Sequence, residues 1–147
     1  MFARSAAPQL AEEYVNTGKV RYVFKYFPFL GDESYYAAES AECASDQGKF
    51  WEYHDLLFFR WQGEGVGTFL PDKLKTYAGQ LALDAQTFAA CLDSRRHQVT
   101  VLADKRDGTQ AGVKATPTLF LNGKVISPIR DYEQLKTKIE EALNEAG

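Results

Sequence analysis

The stretch Ala115-Thr116-Pro117-Thr118-Leu119-Phe120-Leu121-Asn122-Gly123-Lys124-Val125-Ile126 decides the fold of this chain. Asn-Gly is typical of a two-residue type I′ turn, and β-branched and apolar residues lie on both sides of it. The pattern predicts a β-hairpin with strands over residues 118–121 and 124–126. Pro117 has no backbone N–H, so it can open the first strand but not lie in its middle, and it favours an extended Thr116.

The composition is that of one globular domain. The chain has 147 residues, of which 45% are hydrophobic, 25% charged and 14% aromatic, and its net charge is −3. Its basic residues are scattered, so it lacks the positive stripe that would neutralise nucleic-acid phosphates. No apolar run approaches the roughly 18 residues of a spanning helix, and the N-terminus has no signal-peptide pattern. We expect neither nucleic acid nor a membrane span.

Helical patterns lie on both sides of a strand-like segment. Apolar residues at helical spacing predict a first helix over residues 2–16, kinked at Pro8. Residues 20–27 are aromatic and β-branched, which predicts a strand covered on both faces. Helical patterns fill residues 31–112, and a last helix follows the capping box of residues 131–134.

Four candidate helix starts lie in the helical region, and one of them is Pro71-Asp72, which opens a short helix to Ala78. Ser34 and Asp84 have the side chains of N-cap residues, and Ser94 can begin a long helix through Thr109. The predicted order is helix, strand, helical insertion, two strands and helix.

Three segments, together with Thr116-Pro117 and the hairpin, carry a family resemblance. They are Gly18-Lys19-Val20-Arg21-Tyr22-Val23-Phe24-Lys25-Tyr26-Phe27-Pro28, Cys43-Ala44-Ser45-Asp46-Gln47-Gly48-Lys49-Phe50-Trp51-Glu52-Tyr53-His54-Asp55 and Phe88-Ala89-Ala90-Cys91-Leu92-Asp93-Ser94. The chain resembles the DsbA-like thiol:disulfide oxidoreductases of the thioredoxin superfamily. The resemblance implies a single α/β domain, with a thioredoxin-fold core over residues 1–30 and 113–147 and a helical insertion over 31–112.

The motif that gives this family its activity is not in the chain. Such proteins begin with a strand that leads into Cys-x-x-Cys at the start of a helix, and this sequence has no Cys-x-x-Cys. Either Met1 lies inside a longer parent, or the redox site was lost; a first helix without an N-cap residue favours the former. The first strand would be an interior one. We therefore expect residues 20–27 to rearrange, to pair directly with residues 118–121, or to contact a second copy in a strand-exchanged dimer.

Thr116 and Pro117 are the candidate site residues. Elementary statistics favour an ordinary strand-entry proline, since only about 5–6% of X-Pro bonds are cis. The resemblance instead implies a cis-proline loop that faces the active cysteines and orients the substrate, with Thr116 beside the dithiol. The nucleophilic cysteine itself is absent.

Cys43 and Cys91 admit three interpretations: two buried thiols, a structural disulfide or a reactive pair. They are 48 positions apart, so they are not a Cys-x-x-Cys pair, and buried structural cysteines are the ordinary case. Some members of the family pair cysteines at matching positions, so the resemblance makes a structural disulfide possible.

The histidines and aromatic residues indicate no further chemistry. His54 and His97 lack the short paired spacings of zinc sites, so we predict no metal and no cofactor, with His54 satisfied by a neighbour and His97 exposed. We assign five aromatic residues mostly to the core, while a few could line a groove for unfolded substrate: Phe50, Trp51, Phe58, Phe59 and Trp61.

The resemblance implies a protein thiol:disulfide oxidoreductase domain of an extracytoplasmic compartment, truncated before its dithiol and redox-inactive as it stands. Its partners would be cysteine-containing or unfolded polypeptides and a redox partner protein. One alternative is a non-catalytic polypeptide-binding module. Another is a glutathione-using relative of the kappa-transferase or hydroxychromene-isomerase type.

Overall fold

The computed structural model describes residues 2–147, and its helices and strands follow the predicted order except at the first predicted strand. The elements are α1 (Phe2–Leu10), a π-helical segment (Ala11–Val15), α2 (Asp32–Ser45), α3 (Phe50–Arg60), α4 (Pro71–Gln80), α5 (Ala85–Asp93), α6 (Gln98–Gln110), β1 (Phe120–Leu121), β2 (Lys124–Val125) and α7 (Tyr132–Ala146). They divide into two compact units. One comprises the chain up to Phe24 together with Gly112–Gly147, and the other comprises Lys25–Ala111.

The hairpin has the predicted two-residue turn. Asn122 and Gly123 have φ angles of 49° and 80°, the left-handed values that a type I′ turn requires. In the antiparallel register Phe120 faces Val125 and Leu121 faces Lys124. Within residues 2–147 these two short strands form the whole sheet, so both predicted strands are longer than the observed ones.

A helix pair and the hairpin form the core of the first unit. The α1 and π-helical residues Ala6, Leu10 and Tyr14 are four positions apart and share one face. They bury that face against α7 in a cluster that also contains Tyr132, Leu135 and Ile139. The hairpin packs on this cluster through partly buried apolar residues, among them Leu119 and Ile126.

The predicted first helix changes its hydrogen-bond pattern partway. Pro8 lies inside α1, and the chain becomes π-helical from Ala11. The N–H of Asn16 donates to the carbonyl of Ala11 at 2.8 Å, five residues earlier, as a π-helical turn requires. Helical structure therefore extends to Val15, close to the predicted end.

The predicted strand over residues 20–27 is wrong. This segment forms no strand in the described part of the chain, because at least two of its backbone N–H groups bond elsewhere. The N–H of Val20 donates to the carbonyl of Tyr14 at 3.1 Å, and that of Tyr26 donates to the Asp104 carboxylate on α6 at 3.1 Å. The segment is also not covered on both faces, since Val23 is exposed while Tyr26 is buried.

Five helices form the second unit, with α2 packed against each of α3, α4, α5 and α6. Its largest fully buried apolar side chains come from four of these helices: Tyr53, Leu74, Phe88 and Val101. The predicted cap of α5 is present, since Asp84 Oδ1 accepts a hydrogen bond from the N–H of Thr87 at 2.7 Å. This unit spans Lys25–Ala111, and its five helices lie between Asp32 and Gln110.

Two other predicted helix starts are wrong. Gly31 is the N-cap of α2 with a φ angle of 76°, and Ser34 lies in the first turn. Ser94 ends α5 rather than beginning α6, because the next residue, Arg95, has a φ angle of 52° that an α-helix does not allow. Helix α6 then begins at Gln98.

Candidate functional site

The Thr116-Pro117 loop enters the hairpin as an exposed connection. Both residues are exposed, and their peptide bond is cis. Thr118 Oγ1 donates to the carbonyl of Ala115 at 2.6 Å, across the proline. The loop thus presents its side chains to solvent while the strand that follows is paired.

Hydrogen bonds join the two arms of the hairpin beyond the ends of its two short strands. The N–H of Ile126 donates to the carbonyl of Leu119 at 2.9 Å. The N–H of Leu119 donates to Ser127 Oγ at 2.7 Å, which extends the pairing toward the proline. Because Leu119 and Ile126 also pack on the core, the hairpin next to the loop is anchored to it.

Polar contacts tie α7 to the first helical region beneath the hairpin. Lys136 Nζ contacts the Glu13 carboxylate at 2.8 Å, and the Tyr132 hydroxyl donates to the carbonyl of Gln9 at 3.3 Å. The Tyr14 hydroxyl donates to the Glu140 carboxylate. These polar contacts join the same helices as the apolar cluster. The helices on which the hairpin packs are therefore held together by polar and apolar contacts alike.

Cys43 and Cys91 form a disulfide between α2 and α5 in the helical unit. The sulfurs are 2.07 Å apart and the Cα atoms 5.9 Å apart. Both residues are only 1% exposed. Among the three interpretations that the sequence left open, the structure has the bonded pair, and both cysteines of the chain are used in it.

The disulfide lies beside polar side chains whose arrangement the sequence did not reveal. His97 Nε2 and Asp46 Oδ2 are 2.7 Å apart, and the same carboxylate oxygen is 3.7 Å from Cys91 Sγ. Arg96 Nη1 reaches that oxygen at 3.4 Å. The His97 side chain is 17% exposed, so the expectation of an exposed histidine is wrong. The turn after α5 brings His97 back toward α2.

The sequence matches a known protein family. The family described as Thioredoxin matches residues 1–141 of the sequence.

The chain belongs to the thioredoxin family.

Relatives of this thioredoxin-family chain include proteins of disulfide chemistry. It is 27% identical over 146 residues to disulfide bond formation protein D of Bacillus subtilis, covering 97% of this chain and 66% of that protein. The crystal structure of oxidised BdbD from Bacillus subtilis matches with a TM-score of 0.88 and 27% identity, covering 97% of this chain and 79% of that one. The predicted DsbA-like, thioredoxin-like fold is therefore confirmed.

A second group of relatives carries the name Na(+)/H(+) antiporter NhaA. The chain is 38% identical over 125 residues to Na(+)/H(+) antiporter NhaA 1 of Salinispora arenicola, covering 84% of this chain and 18% of that protein. The thioredoxin-family chain thus spans less than a fifth of this antiporter and about two thirds of the Bacillus protein. In residues 2–147 we find no helix with the length and apolar character needed to cross a bilayer.

The aromatic residues of α3 are less buried than predicted. Trp51, Phe59 and Trp61 are exposed, with 65% of Phe59 accessible. Phe50 and Phe58 are half-buried and contact the buried His54 ring, with centroid distances of 5.8 and 4.8 Å. The core of this helix consists instead of three buried residues: Tyr53, His54 and Leu57. A helical pattern identifies an apolar face, but it does not show how wide that face is.

His54 has the polar neighbour that was expected. Its Nδ1 lies 2.9 Å from the Asp55 carboxylate, and its ring packs among aromatic side chains of the same helix. The two histidines therefore lie in different surroundings, and only His97 approaches the cysteines.

Proposed function

We propose that the chain is the substrate-positioning scaffold of a DsbA-like protein thiol:disulfide oxidoreductase and is redox-inactive by itself. The observation that carries this proposal is the exposed Thr116-Pro117 loop. It leads into the first strand of the hairpin, which packs on α1 and α7. Membership of the DsbA-like group supports it. The chain has no Cys-x-x-Cys, and its two cysteines are bonded to each other, so it holds no free thiol for exchange.

The loop would act by orienting an extended substrate. In disulfide exchange a thiolate attacks one sulfur of a disulfide, a new S–S bond forms, and the other sulfur leaves as a thiolate. The substrate's disulfide must point along that line of attack, so its backbone has to be held. Residues that lead into a strand can pair with an extended peptide through main-chain hydrogen bonds, as in β-strand addition. Thr116 would lie closest to the reacting sulfurs.

The dithiol would be supplied from a segment ahead of Met1 in a longer parent protein. A thiol at a helix N-terminus has a lowered pKa, because the helix dipole and the N–H groups there stabilise the thiolate. The parent would act in an extracytoplasmic compartment, where disulfides persist, on cysteine-containing polypeptides and with a redox partner protein. The Cys43–Cys91 disulfide supports that location.

Reduction of insulin by dithiothreitol tests this proposal. We compare the chain with a form extended by the codons that precede Met1 in the genome. We expect acceleration by the extended form only. Acceleration by the chain itself, or none by an extended form that contains Cys-x-x-Cys, would contradict the proposal.

A second candidate function is the binding of unfolded polypeptide without exchange. Three exposed aromatic side chains of α3 and its C-terminal end support it, because large exposed apolar side chains can form an interaction site: Trp51, Phe59 and Trp61. A reduced and carboxymethylated polypeptide has no thiol to exchange and is a suitable probe. We expect Phe59→Ser to weaken its binding and Val99→Ser, at an exposed apolar position of α6, to leave it unchanged.

A second copy of the chain is a further possible partner. The two-stranded hairpin has outer edges on which a strand can add, and its Phe120 and Val125 are exposed. We propose a weak strand-paired dimer. Light scattering over a range of concentrations tests it: a rising mass that Val125→Lys abolishes is expected, and a monomer at all concentrations would contradict it.

A further inference from the structure

Metal-binding types of side chain converge on the Cys43–Cys91 disulfide. The two sulfurs and one ring nitrogen of His97 all lie within 4.8 Å of one another. Asp46 Oδ2 lies 2.7 Å from His97 Nε2 and 3.7 Å from Cys91 Sγ. Three segments of the chain contribute: α2, α5 and the turn that leads into α6. The fold brings these three segments together.

We propose that reduction of this disulfide converts the cluster into a zinc site. Cys43, Cys91 and His97 would be ligands, with Asp46 as the fourth. Zinc takes thiolate, imidazole and carboxylate ligands, and four of them in a tetrahedron complete a closed site. In the oxidised protein the bonded sulfurs are not thiolates, so the site does not exist. This inference goes beyond the proposed function and uses neither Thr116 nor Pro117.

The geometry requires a small rearrangement. With Zn–S bonds of about 2.3 Å, two sulfurs of a tetrahedral site lie roughly 3.8 Å apart. Bonded sulfurs are about 2 Å apart, so they would separate by less than about 2 Å, and side-chain rotation in α2 and α5 can supply this. Cys43 and Asp46 are three positions apart at the end of α2, a spacing that brings both to one side of a helix.

The turn that carries His97 is held in place independently of the disulfide. Arg95 donates from Nε and Nη2 to the buried Glu39 carboxylate of α2, at 3.1 and 2.6 Å. Helix α2 carries both this carboxylate and Cys43. Because the same helix holds the turn and a ligand, His97 stays close to the cysteines after reduction.

The charges of the site balance with the ion present. Two thiolates and the Asp46 carboxylate bring three negative charges, and Zn²⁺ with the Arg96 guanidinium beside Asp46 brings three positive ones. The cysteines are 1% exposed, but the Asp46 side chain is 35% exposed. An ion can therefore enter from the Asp46 and His97 side.

Each chemical step is balanced with a dithiol as reductant. The dithiol gives two electrons and two protons to the protein disulfide, becomes a disulfide itself and leaves two cysteine thiols. Zn²⁺ then displaces one proton from each thiol and binds two thiolates. Reoxidation would expel the ion, so the site reports the redox state of its surroundings.

Metal titration of the oxidised and reduced chain tests the proposal. A phosphine reductant is used, since it does not compete for zinc as a dithiol would, and it is removed without air. Co²⁺ is the spectroscopic probe, and Zn²⁺ affinity is measured against a chromophoric chelator. We expect one ion per reduced chain, with a thiolate-to-cobalt charge-transfer band, and no binding to the oxidised chain.

Ligand variants and matched controls separate this site from adventitious thiol binding. We expect His97→Ala and Asp46→Asn each to weaken Zn²⁺ binding by at least the roughly 10-fold that even outer-sphere changes cause. Gln98→Ala and Asp93→Asn, which alter neighbouring residues outside the cluster, should leave the affinity unchanged. Equal affinity in His97→Ala and the unmodified chain, or no binding by the reduced chain, would overturn the proposal.

A folding readout covers the case in which reduction unfolds the chain. Zinc sites often form together with the fold around them. If circular dichroism shows an unfolded reduced chain, Zn²⁺ must restore the native spectrum, and it must fail to do so with His97→Ala. Failure of Zn²⁺ to restore the spectrum of the unmodified chain would equally overturn the proposal.

Discussion

Arg95 and the buried carboxylate of Glu39 form a two-bond ion pair, with Nε and Nη2 of Arg95 at 3.1 and 2.6 Å from the two carboxylate oxygens. Glu39 is 1% exposed, so its carboxylate is shielded from solvent. The pair joins α2 to the turn between α5 and α6, where Arg95 has a φ angle of 52°. The hydrogen bond with Glu39 is the main cause that raises the pKa of Arg95 above its usual value.

Removal of Arg95 should destabilise the chain strongly. Breaking a buried ion pair by removing one partner leaves an uncompensated charge, which costs about 3–5 kcal/mol when both partners are buried. The Arg95 side chain is 38% exposed, so water replaces part of the lost contact. We therefore expect Arg95→Ala to lower the free energy of unfolding by about 2–3 kcal/mol in urea titrations.

The neighbouring arginine is the matched control for this prediction. Arg96 contacts Asp46 at 3.4 Å with a side chain that is 52% exposed. Exposed pairs contribute about 0–1 kcal/mol, so Arg96→Ala should have an effect in that range. Equal losses for the two variants would show that burial of Glu39 is not the cause.

The disulfide should contribute strongly to stability. Cys43 and Cys91 are 48 positions apart, and closing a loop of that length restricts the unfolded chain by about 4 kcal/mol in the loop-entropy relation. We expect the double variant Cys43→Ala, Cys91→Ala to lose about 2–4 kcal/mol of unfolding free energy in urea. A loss below about 1 kcal/mol would contradict this account.

The Asp84 cap makes part of the stability dependent on acid pH. A hydrogen bond to its side chain from Thr87 lowers the pKa of Asp84 from the usual 3.8. A carboxyl group with a lowered folded-state pKa stabilises the protein above its unfolded-state pKa and loses that effect as pH falls through the folded-state pKa. The melting temperature of Asp84→Ala should lie below that of the unmodified chain at pH 6, and the difference should shrink below pH 3.8.

Two buried tyrosines should resist ionisation in alkali. Burial is the main cause that raises the pKa of both Tyr26 and Tyr53 above the usual 10.0, and for Tyr26 the Glu42 carboxylate adds to it. Such a group favours the folded state fully below pH 10 and loses that contribution as pH rises toward the folded-state pKa. The phenolate absorbance of the native chain should therefore fall at least two tyrosines short of that of the unfolded chain.

A phenylalanine variant identifies one of these tyrosines. Tyr26→Phe should lower the absorbance end point of the unfolded chain by one tyrosine and leave the native titration unchanged. A smaller native signal in this variant would mean that Tyr26 ionises in the folded protein.

The hairpin and two helix caps were predictable because their signals are local. Asn122-Gly123 requires left-handed backbone at adjacent positions, and the structure has it. Asp84 and Asp131 cap α5 and α7 through bonds to N–H groups three residues on, at 2.7 and 2.9 Å. Such contacts involve neighbours in the sequence, so the pattern alone determines them.

Three of the failures involve partners distant in the sequence. Residues 20–27 have a strand-like composition, but a strand needs a neighbouring strand, and Tyr26 donates its N–H to Asp104 on α6 instead. Ser94 has the side chain of a helix start, but the Arg95 that follows has left-handed backbone and pairs with Glu39, 56 positions earlier. His97 likewise meets Asp46 only through the fold.

The measurement that tests the central claim most directly is insulin reduction by the upstream-extended protein with substitutions at its two X-Pro positions near the hairpin. Pro117→Ala alters the loop that we assign to substrate orientation, whereas Pro128→Ala makes the same change after the hairpin, at a position that is also exposed. Circular dichroism verifies that both variants fold. We expect Pro117→Ala to slow turnover at least 10-fold and Pro128→Ala to leave it within about 2-fold, on the ground that misplaced reactants cost about 10²-fold in rate. Equal turnover by the two variants would contradict the assignment of the Thr116-Pro117 loop.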